Sequence, residues 1–398
     1  MKFTCITLFL AFSCICFGQR HEFSLVSYNS LRYSPTNIDD RHPQLRLVHG
    51  DLQADILAVQ ELSGQAAAQM YLDSVLNFDS ITYSVANFTD GNDLDCALFY
   101  KTAKFSFIKS STYPTTLRDI YQFELWPLGS PDTLHVFSVH LKASTGSTNQ
   151  QRRKDEVDVM RQVTDQFPAN MHFLVCGDFN IYSANEPAYN RLLEDTPGND
   201  GHFVDQISIA GTWNRASYAM YHTQSPRSNA FNGGASGGMD DRFDMILMSE
   251  SLDDTVGLHY VSNSMYPYGN DGLHYDMSIN DLPLNTAVGQ VLADALYFVS
   301  DHIPVVAHFA YSIPHVSGVS LDENKRVDFG ISLRPSGVWI DNPENRNLEY
   351  VVYSMDGKKL SYGKNTSSIN LNMSAGSIYL ISLKEVGTDR FINKLLSF

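Results

Sequence analysis

At 398 residues, 43% hydrophobic and 18% charged, the chain has room for one large domain plus a smaller module, and its apolar content argues against disorder. The formal charge of −16 sits unevenly: residues 21–310 carry −19 and residues 311–398 only +1. So acidic a domain repels phosphate polymers unless a cation such as a bound divalent metal intervenes, although solvation of an extracellular surface accounts for most of the acid.

In chain order, Lys2 precedes an apolar run that ends at Gly18 before Gln19, the pattern of a cleavable signal peptide over residues 1–18 and hence of an exported protein. Neither Cys14 nor Cys16 follows a convincing lipobox, and no later stretch is apolar enough to cross a bilayer. Beyond the signal only Cys96 and Cys176 remain, in the apolar runs CALFY and FLVCGDFN, which suit two buried thiols on neighbouring strands better than a disulfide.

Short β-like runs recur to about residue 310: FSLVSYN, DILAVQE, CALFYK, LHVFSVHL, MHFLVCGDFN, FDMILM and PVVAHFAY. Helical spacing appears over Gln65–Leu76 and Arg152–Phe167. This alternation, with some direct strand-to-strand succession, predicts a layered α/β domain with mixed sheets over residues 21–311. Residues 224–240 and roughly 260–286 are dense in Gly, Ser, Asn, Asp and Pro and read as long loops. After Tyr311, short alternating runs with the hairpin-like Asp356-Gly357 suggest a small β-sandwich over residues 319–398.

Polar groups next to apolar strands cost free energy to bury unless a metal, a network or a substrate offsets that cost. Such groups are Asn29, Glu61, His140, Asp178, Asn180, Asp244 and the pair Asp301-His302. Taken singly, each is more often a turn former, a cap or a hydrogen-bonded structural histidine.

As an ordered series, VQE at Val59–Glu61, HLKAS at His140–Ser144, GDFN at Gly177–Asn180 and SDH at Ser300–His302 resemble the endonuclease/exonuclease/phosphatase (DNase I-like) family over about residues 22–310. The resemblance implies a four-layer α/β sandwich with two mixed β-sheets and an active site across one end of the sheets. It implies Glu61 as the main metal carboxylate, helped by Asn29 and Asp301, with Mg²⁺ or Mn²⁺ preferred by hard oxygen ligands. Asp178 would position or deprotonate the nucleophile and Asn180 would bond the phosphate; two apart on an extended segment, they would share a face. His302 would be paired with Asp244, and His140 would donate to a nonbridging oxygen or protonate the leaving group.

Two positions depart from family patterns. Leu31 stands where some family nucleases carry a second acid, and the partner expected for His140 is either Asp93 or Asp95. The tail, with NLEYVVYSMDGKKL, INLNMSAGSIYLISLK and FINKLLSF, is similar to the C-terminal sorting domain of type IX secretion cargo; an ordinary β-sandwich binding module is the alternative.

The expected activity is therefore metal-dependent hydrolysis of phosphodiesters by a secreted or cell-surface protein, with nucleic acid favoured over a lipid or small phosphate ester and a non-catalytic surface-binding role least favoured. Arg32, Lys142 and Arg153 are the expected substrate contacts, with Arg152, Arg227 and Arg242 as further basic residues near the motifs. Aromatics in Met265–Tyr268 and Tyr275 would suit either a membrane or stacked bases.

Overall fold

The computed structural model describes residues 19–36, 41–254, 257–313, 329–334, 337–354, 359–364, 368–369, 378–386 and 391–397. The signal peptide of residues 1–18 and the Asp356-Gly357 turn lie outside the described residues. The chain divides into two compact units, Met1–His315 and Val316–Phe398.

In the first unit, β1 (Gln19–Tyr33) runs parallel to β2 (Ile56–Leu62) and antiparallel to β12 (Val305–Ile313). The parallel step needs a crossover, which α1 (His42–Leu52) supplies. On the far side of β2 lie β4 (Asp95–Lys101) and β3 (Tyr83–Val85), while β10 (His259–Tyr260) and β11 (Tyr266–Pro267) pair with β12. The second sheet runs β5 (Phe105–Tyr113), β6 (Ile120–Pro127), β7 (Leu134–His140), β8 (Phe173–Asp178), β9 (Asp244–Met248). Its one parallel pair, β7 and β8, is joined through α3 (Ser147–Thr164).

The strands alternate their allegiance. Leu25, Ile56 and Ala58 of the first sheet meet Val136, Leu174, Cys176 and Ile246 of the second in a shared core. Their neighbours Val26, Leu57 and Val59 turn the other way, toward α1, α2 (Gln65–Tyr71, continued by a π-helical turn Leu72–Leu76) and α6 (Gln290–Val299). Likewise Phe137, Val139 and Val175 pack under α3 and α4 (Pro187–Leu193). The result is helix, sheet, sheet, helix: a four-layer α/β sandwich, as the resemblance implies. Because both faces of β2 and β7 are covered, all seven residues of each are buried, and apolar residues fall on both faces rather than alternating with polar ones. Cys96 on β4 and Cys176 on β8 are free thiols inside the central core, on facing sheets rather than on neighbouring strands.

The second unit is β-rich. Its β13 (Gly330–Arg334), β14 (Gly337–Asp341) and β17 (Ser368–Ile369) form one antiparallel sheet; β16 (Lys359–Lys364), β15 (Leu348–Ser354), β18 (Ile378–Glu385) and β19 (Phe391–Ser397) form another. Ile331, Val338 and Ile340 from the first share a core with Val352, Ile381 and Leu383 from the second. Among the described residues no helix is long and apolar enough to cross a membrane.

Candidate active site

The strand ends at one edge of the first unit bring the singled-out polar residues together. The Asn29 amide nitrogen donates to Glu61 Oε1 at 3.0 Å and to Asp178 Oδ2 at 3.2 Å, and lies 3.4 Å from His302 Nε2. His140 Nε2 is 3.7 Å from Glu61 Oε1 and 3.4 Å from Asp178 Oδ2. His302 Nδ1 donates to Asp244 Oδ2 at 2.7 Å, while its Nε2 is 3.7 Å from Asp178 Oδ2. Asn29, Glu61, His140, Asp178, Asp244, Asp301 and His302 are all buried.

The local backbone is distorted to achieve this. The β1–β2 register shifts between Asn29 and Tyr33, and Leu31, Arg32 and Glu61 adopt φ of 47°, 47° and 64°. Left-handed conformations at non-glycine residues cost about 1–3 kcal/mol each. The turn lets Leu31 N–H donate to Asn29 Oδ1 and Arg32 N–H to Glu61 Oε2 at 2.9 Å, so both Glu61 oxygens are held in place. Gly177 has an equally local reason: a Cβ there would stand 2.0 Å from the Val139 carbonyl oxygen. Only glycine lets β8 lie close enough to β7 to set Asp178 beside His140, its register partner.

Electrostatics divide the two histidines. Burial, with Arg118 and His302 adding to it, holds His140 well below the ordinary imidazole range, so it is neutral. Burial also opposes charge on His302, but Asp244, Asp178 and Asp301 outweigh it and hold His302 well above that range, as a cation. Asp178 is pushed up by burial and by the Asp244 and Glu61 charges, against the pull of His302. Four carboxylates against one imidazolium leave a surplus of negative charge, and buried oxygens of Asp244 and Asp301 (Oδ1 of each) have no hydrogen-bond donor among the described residues. A hard cation beside Glu61 and Asp178 would offset the surplus charge.

Among the described residues the donor atoms that lie within 4.8 Å of one another belong to Glu61, His140 and Asp178. This differs from the expected set of Glu61, Asn29 and Asp301. The Asn29 amide is turned to orient the two carboxylates, and Asp301 Oδ2 accepts the Ala235 N–H at 2.5 Å, with Gly234 packed against its carboxyl group.

Other expectations are corrected. The segment after Asp178 is not extended: Asn180 has φ 51°, its N–H donates to Asp178 Oδ1, and its amide donates to the Leu141 carbonyl. Asp178 and Asn180 are thus two sides of a turn, not alternate residues on one face. Neither candidate partner reaches His140. Asp93 binds Arg118 and Asp95 accepts from Tyr121 and Gly91, leaving His140 Nδ1 without a hydrogen-bond partner among the described residues.

Arg153 is fully buried, with its guanidinium on Glu186 at 2.7 and 3.0 Å and on the Lys142 and Ser144 carbonyls. It is a structural cation with no surface left for substrate. The same holds for Arg242, paired with Asp205, and for Arg227, bound to four carbonyls. Arg32 is exposed, its N–H on Glu61; Lys142 and Arg152 line a cleft of about 430 Å³ together with Asp155 and Glu156. Of the aromatics, Tyr266 is exposed, whereas Tyr268 is buried against Asp51 and Tyr275 donates to Asn214.

The sequence reading missed Arg118, which donates to the Leu141 carbonyl and lowers the His140 pKa, and Gln224, whose side-chain amide lies 2.6 Å from His302 Nε2. With His302 cationic, the Gln224 oxygen is the end that can accept Nε2–H. Both come from loops with no motif, and only the density of turn residues after 224 hinted at a rim.

The family model described as "Endonuclease/Exonuclease/phosphatase family" matches residues 26–302. No curated protein matches the chain in sequence. Among solved structures, D. rerio TDP2 complexed with single strand DNA product gives a TM-score of 0.50 at 17% identity, covering 72% of this chain and 98% of that one. An endonuclease/exonuclease/phosphatase family protein from Bacteroides thetaiotaomicron gives 0.46 at 14% identity, covering 75% and 98%. The human Nocturnin catalytic domain with bound sulfate anion gives 0.45 at 18%, covering 74% and 96%. At 17% identity the likeness to D. rerio TDP2 speaks to the fold alone.

Proposed function

The chain belongs to the endonuclease/exonuclease/phosphatase family, and from that membership we propose a secreted, divalent-metal-dependent phosphodiesterase that acts on nucleic acid. The observation that carries the chemistry is the convergence of Glu61, His140 and Asp178 with the Asp244–His302 pair. Enzymes of this family use divalent metals, and the oxygen-rich, negatively charged site suits Mg²⁺ or Mn²⁺ held by Glu61 and Asp178 with Asn29 orienting both. When bound, the ion supplies Lewis-acid stabilisation of charge on a phosphoryl oxygen.

The chain's own groups do the rest. Asp178, fixed by the Asn29 amide and the Asn180 N–H, accepts a hydrogen bond from the attacking water and so orients it. His302, kept cationic by Asp244, neutralises charge building on the phosphoryl group. His140, neutral, donates a hydrogen bond to a nonbridging or leaving oxygen. Asn180, its amide nitrogen committed to Leu141, holds Asp178 through its backbone N–H.

In favour of nucleic acid stand the exposed Arg32, whose N–H holds Glu61, and Lys142 and Arg152, which share a cleft with Asp155 and Glu156. A second reading, a sphingomyelinase-like or phosphoinositide phosphatase-like enzyme acting on lipid or small phosphate esters, draws on Leu273, Leu282 and Leu284, which are 51%, 75% and 60% exposed. For the β-rich unit we propose a type IX secretion sorting role, matching export by a signal peptide; a carrier-independent binding module is the competing role.

The test is incubation of the mature protein with plasmid DNA, RNA, sphingomyelin and soluble phosphate esters, with Mg²⁺ or Mn²⁺ or with chelator. Nicking that disappears in chelator and in His302→Ala supports the nuclease. Release of phosphocholine or inorganic phosphate without nicking overturns it in favour of the second reading. Export is tested by deleting residues 319–398 in the native host, which should leave the protein inside the cell envelope.

A further inference from the structure

Arg41 is buried at the N-terminal boundary of α1, and no carboxylate within ion-pairing distance of it appears among the described residues. Its Nη1 instead donates to three carbonyls at once: Ser30 at 3.0 Å, Leu31 at 3.0 Å and Val299 at 2.9 Å. Those carbonyls come from two segments far apart in sequence. Ser30 and Leu31 belong to the left-handed turn between Asn29, which orients Glu61 and Asp178, and Arg32, whose N–H holds Glu61. Val299 ends α6 and precedes Ser300, Asp301 and His302.

A second tie joins the same two segments. The Ser300 hydroxyl donates to the Asn29 carbonyl at 2.7 Å and accepts the His302 N–H at 3.1 Å. The end of α6 therefore does not fray into solvent. Its last carbonyls are taken by buried guanidiniums, Tyr297 and Phe298 by Arg227 and Val299 by Arg41, which also complements the negative end of the helix.

We propose that Arg41 is a positioning residue: by holding Ser30, Leu31 and Val299 on one nitrogen, it sets the spacing between the Glu61 side of the site and His302. It touches neither substrate nor reacting atoms. It acts through the backbone carbonyls of the two segments. A displacement of about 1 Å at a reacting group is enough to lower a rate about 100-fold.

The kinetic arm of the test rests on the phosphodiesterase reading; a structural arm does not. With bis(p-nitrophenyl) phosphate and Mn²⁺, Arg41→Met in the full chain should lower kcat about 100-fold with KM within about twofold, and Arg41→Lys, whose ammonium sits on a shorter stem, about 10-fold. If Arg41→Met fails to fold, Arg41→Lys decides. In parallel, hydrogen exchange on the intact protein should accelerate together at 29–32 and 300–302 in Arg41→Lys, while the strands of the β5–β9 sheet keep their protection. A folded variant with kcat within threefold of wild type, or with both segments exchanging as in wild type, overturns the proposal. A wild-type protein that hydrolyses no diester overturns the phosphodiesterase reading, and the exchange experiment then still decides the role of Arg41.

Discussion

Replacing Asp244 by Asn isolates the role of the carboxylate behind His302. The Nδ1–Oδ2 contact is 2.7 Å, with both side chains essentially inaccessible to water. A charge-assisted hydrogen bond in such a setting contributes about 1.5–3 kcal/mol. The neutral bond that Asn keeps is worth about 0.5–1.5 kcal/mol, so at about 1.4 kcal/mol per tenfold the lost charge assistance lowers kcat by roughly 5- to 12-fold. Volume is conserved and the Asn oxygen can still accept from Nδ1, so the fold should hold. The pH dependence carries the sharper signature. A histidine whose folded pKa is raised stabilises the fold in full below its unfolded value of about 6.5, and that contribution is lost as pH rises through the folded value. Without Asp244 the imidazolium is held less tightly, so the alkaline limb of kcat should move to lower pH and the alkaline fall in stability should begin earlier. Rate profiles on bis(p-nitrophenyl) phosphate and thermal melts across pH 5–10 read both. An unchanged limb with kcat within threefold of wild type would refute the assignment of His302 as a cation held by Asp244.

Other consequences follow from single residues. His49, depressed to about 3 by burial, is protonated only in the unfolded chain between that value and about 6.5, so it should cost about 1.4 kcal/mol of stability per pH unit on acidification; His49→Gln should flatten the acid-side fall in melting temperature, and an unflattened curve counts against it. Gly177→Ala forces a Cβ to within 2.0 Å of the Val139 carbonyl, and should destabilise by about 3 kcal/mol or more, seen as insoluble or early-melting protein. Arg32→Ala and Lys142→Ala should each raise KM for DNA severalfold at unchanged melting temperature. Arg153→Met should do the reverse, leaving KM alone while breaking the buried Glu186 pair at about 3–5 kcal/mol in chemical denaturation; a Met variant that melts normally but binds DNA poorly would reinstate Arg153 as a substrate contact.

Much of the layered fold was legible because buried strands announce themselves. The fully covered β2 and β7 carry apolar residues on both faces, and each has a polar site residue at or next to its end, Glu61 and His140. Strand β5 was not legible, since its partly exposed surface leaves FSFIKSSTY without a clear apolar pattern. At the site, types and order of residues were readable, but roles set by backbone geometry were not. The extended-strand reading of Asp178 and Asn180 fails because Asn180 is left-handed, a property that one Asn in a tetrapeptide does not declare. Arg153 looked like a phosphate contact because a charged residue on a helix is usually solvated; the buried Glu186 that captures it lies 33 residues away. Arg41 and Gln224 act on carbonyls and on a ring nitrogen contributed by distant segments, so nothing in their own neighbourhoods marks them.

Anomalous diffraction from crystals of the full chain soaked in Mn²⁺ reaches the core of the account. A single strong peak in bonding contact with the Glu61 and Asp178 carboxylates, absent in Glu61→Gln together with diester hydrolysis, is the predicted result. An ion bound at some other place, with Glu61→Gln as active as wild type, would contradict it.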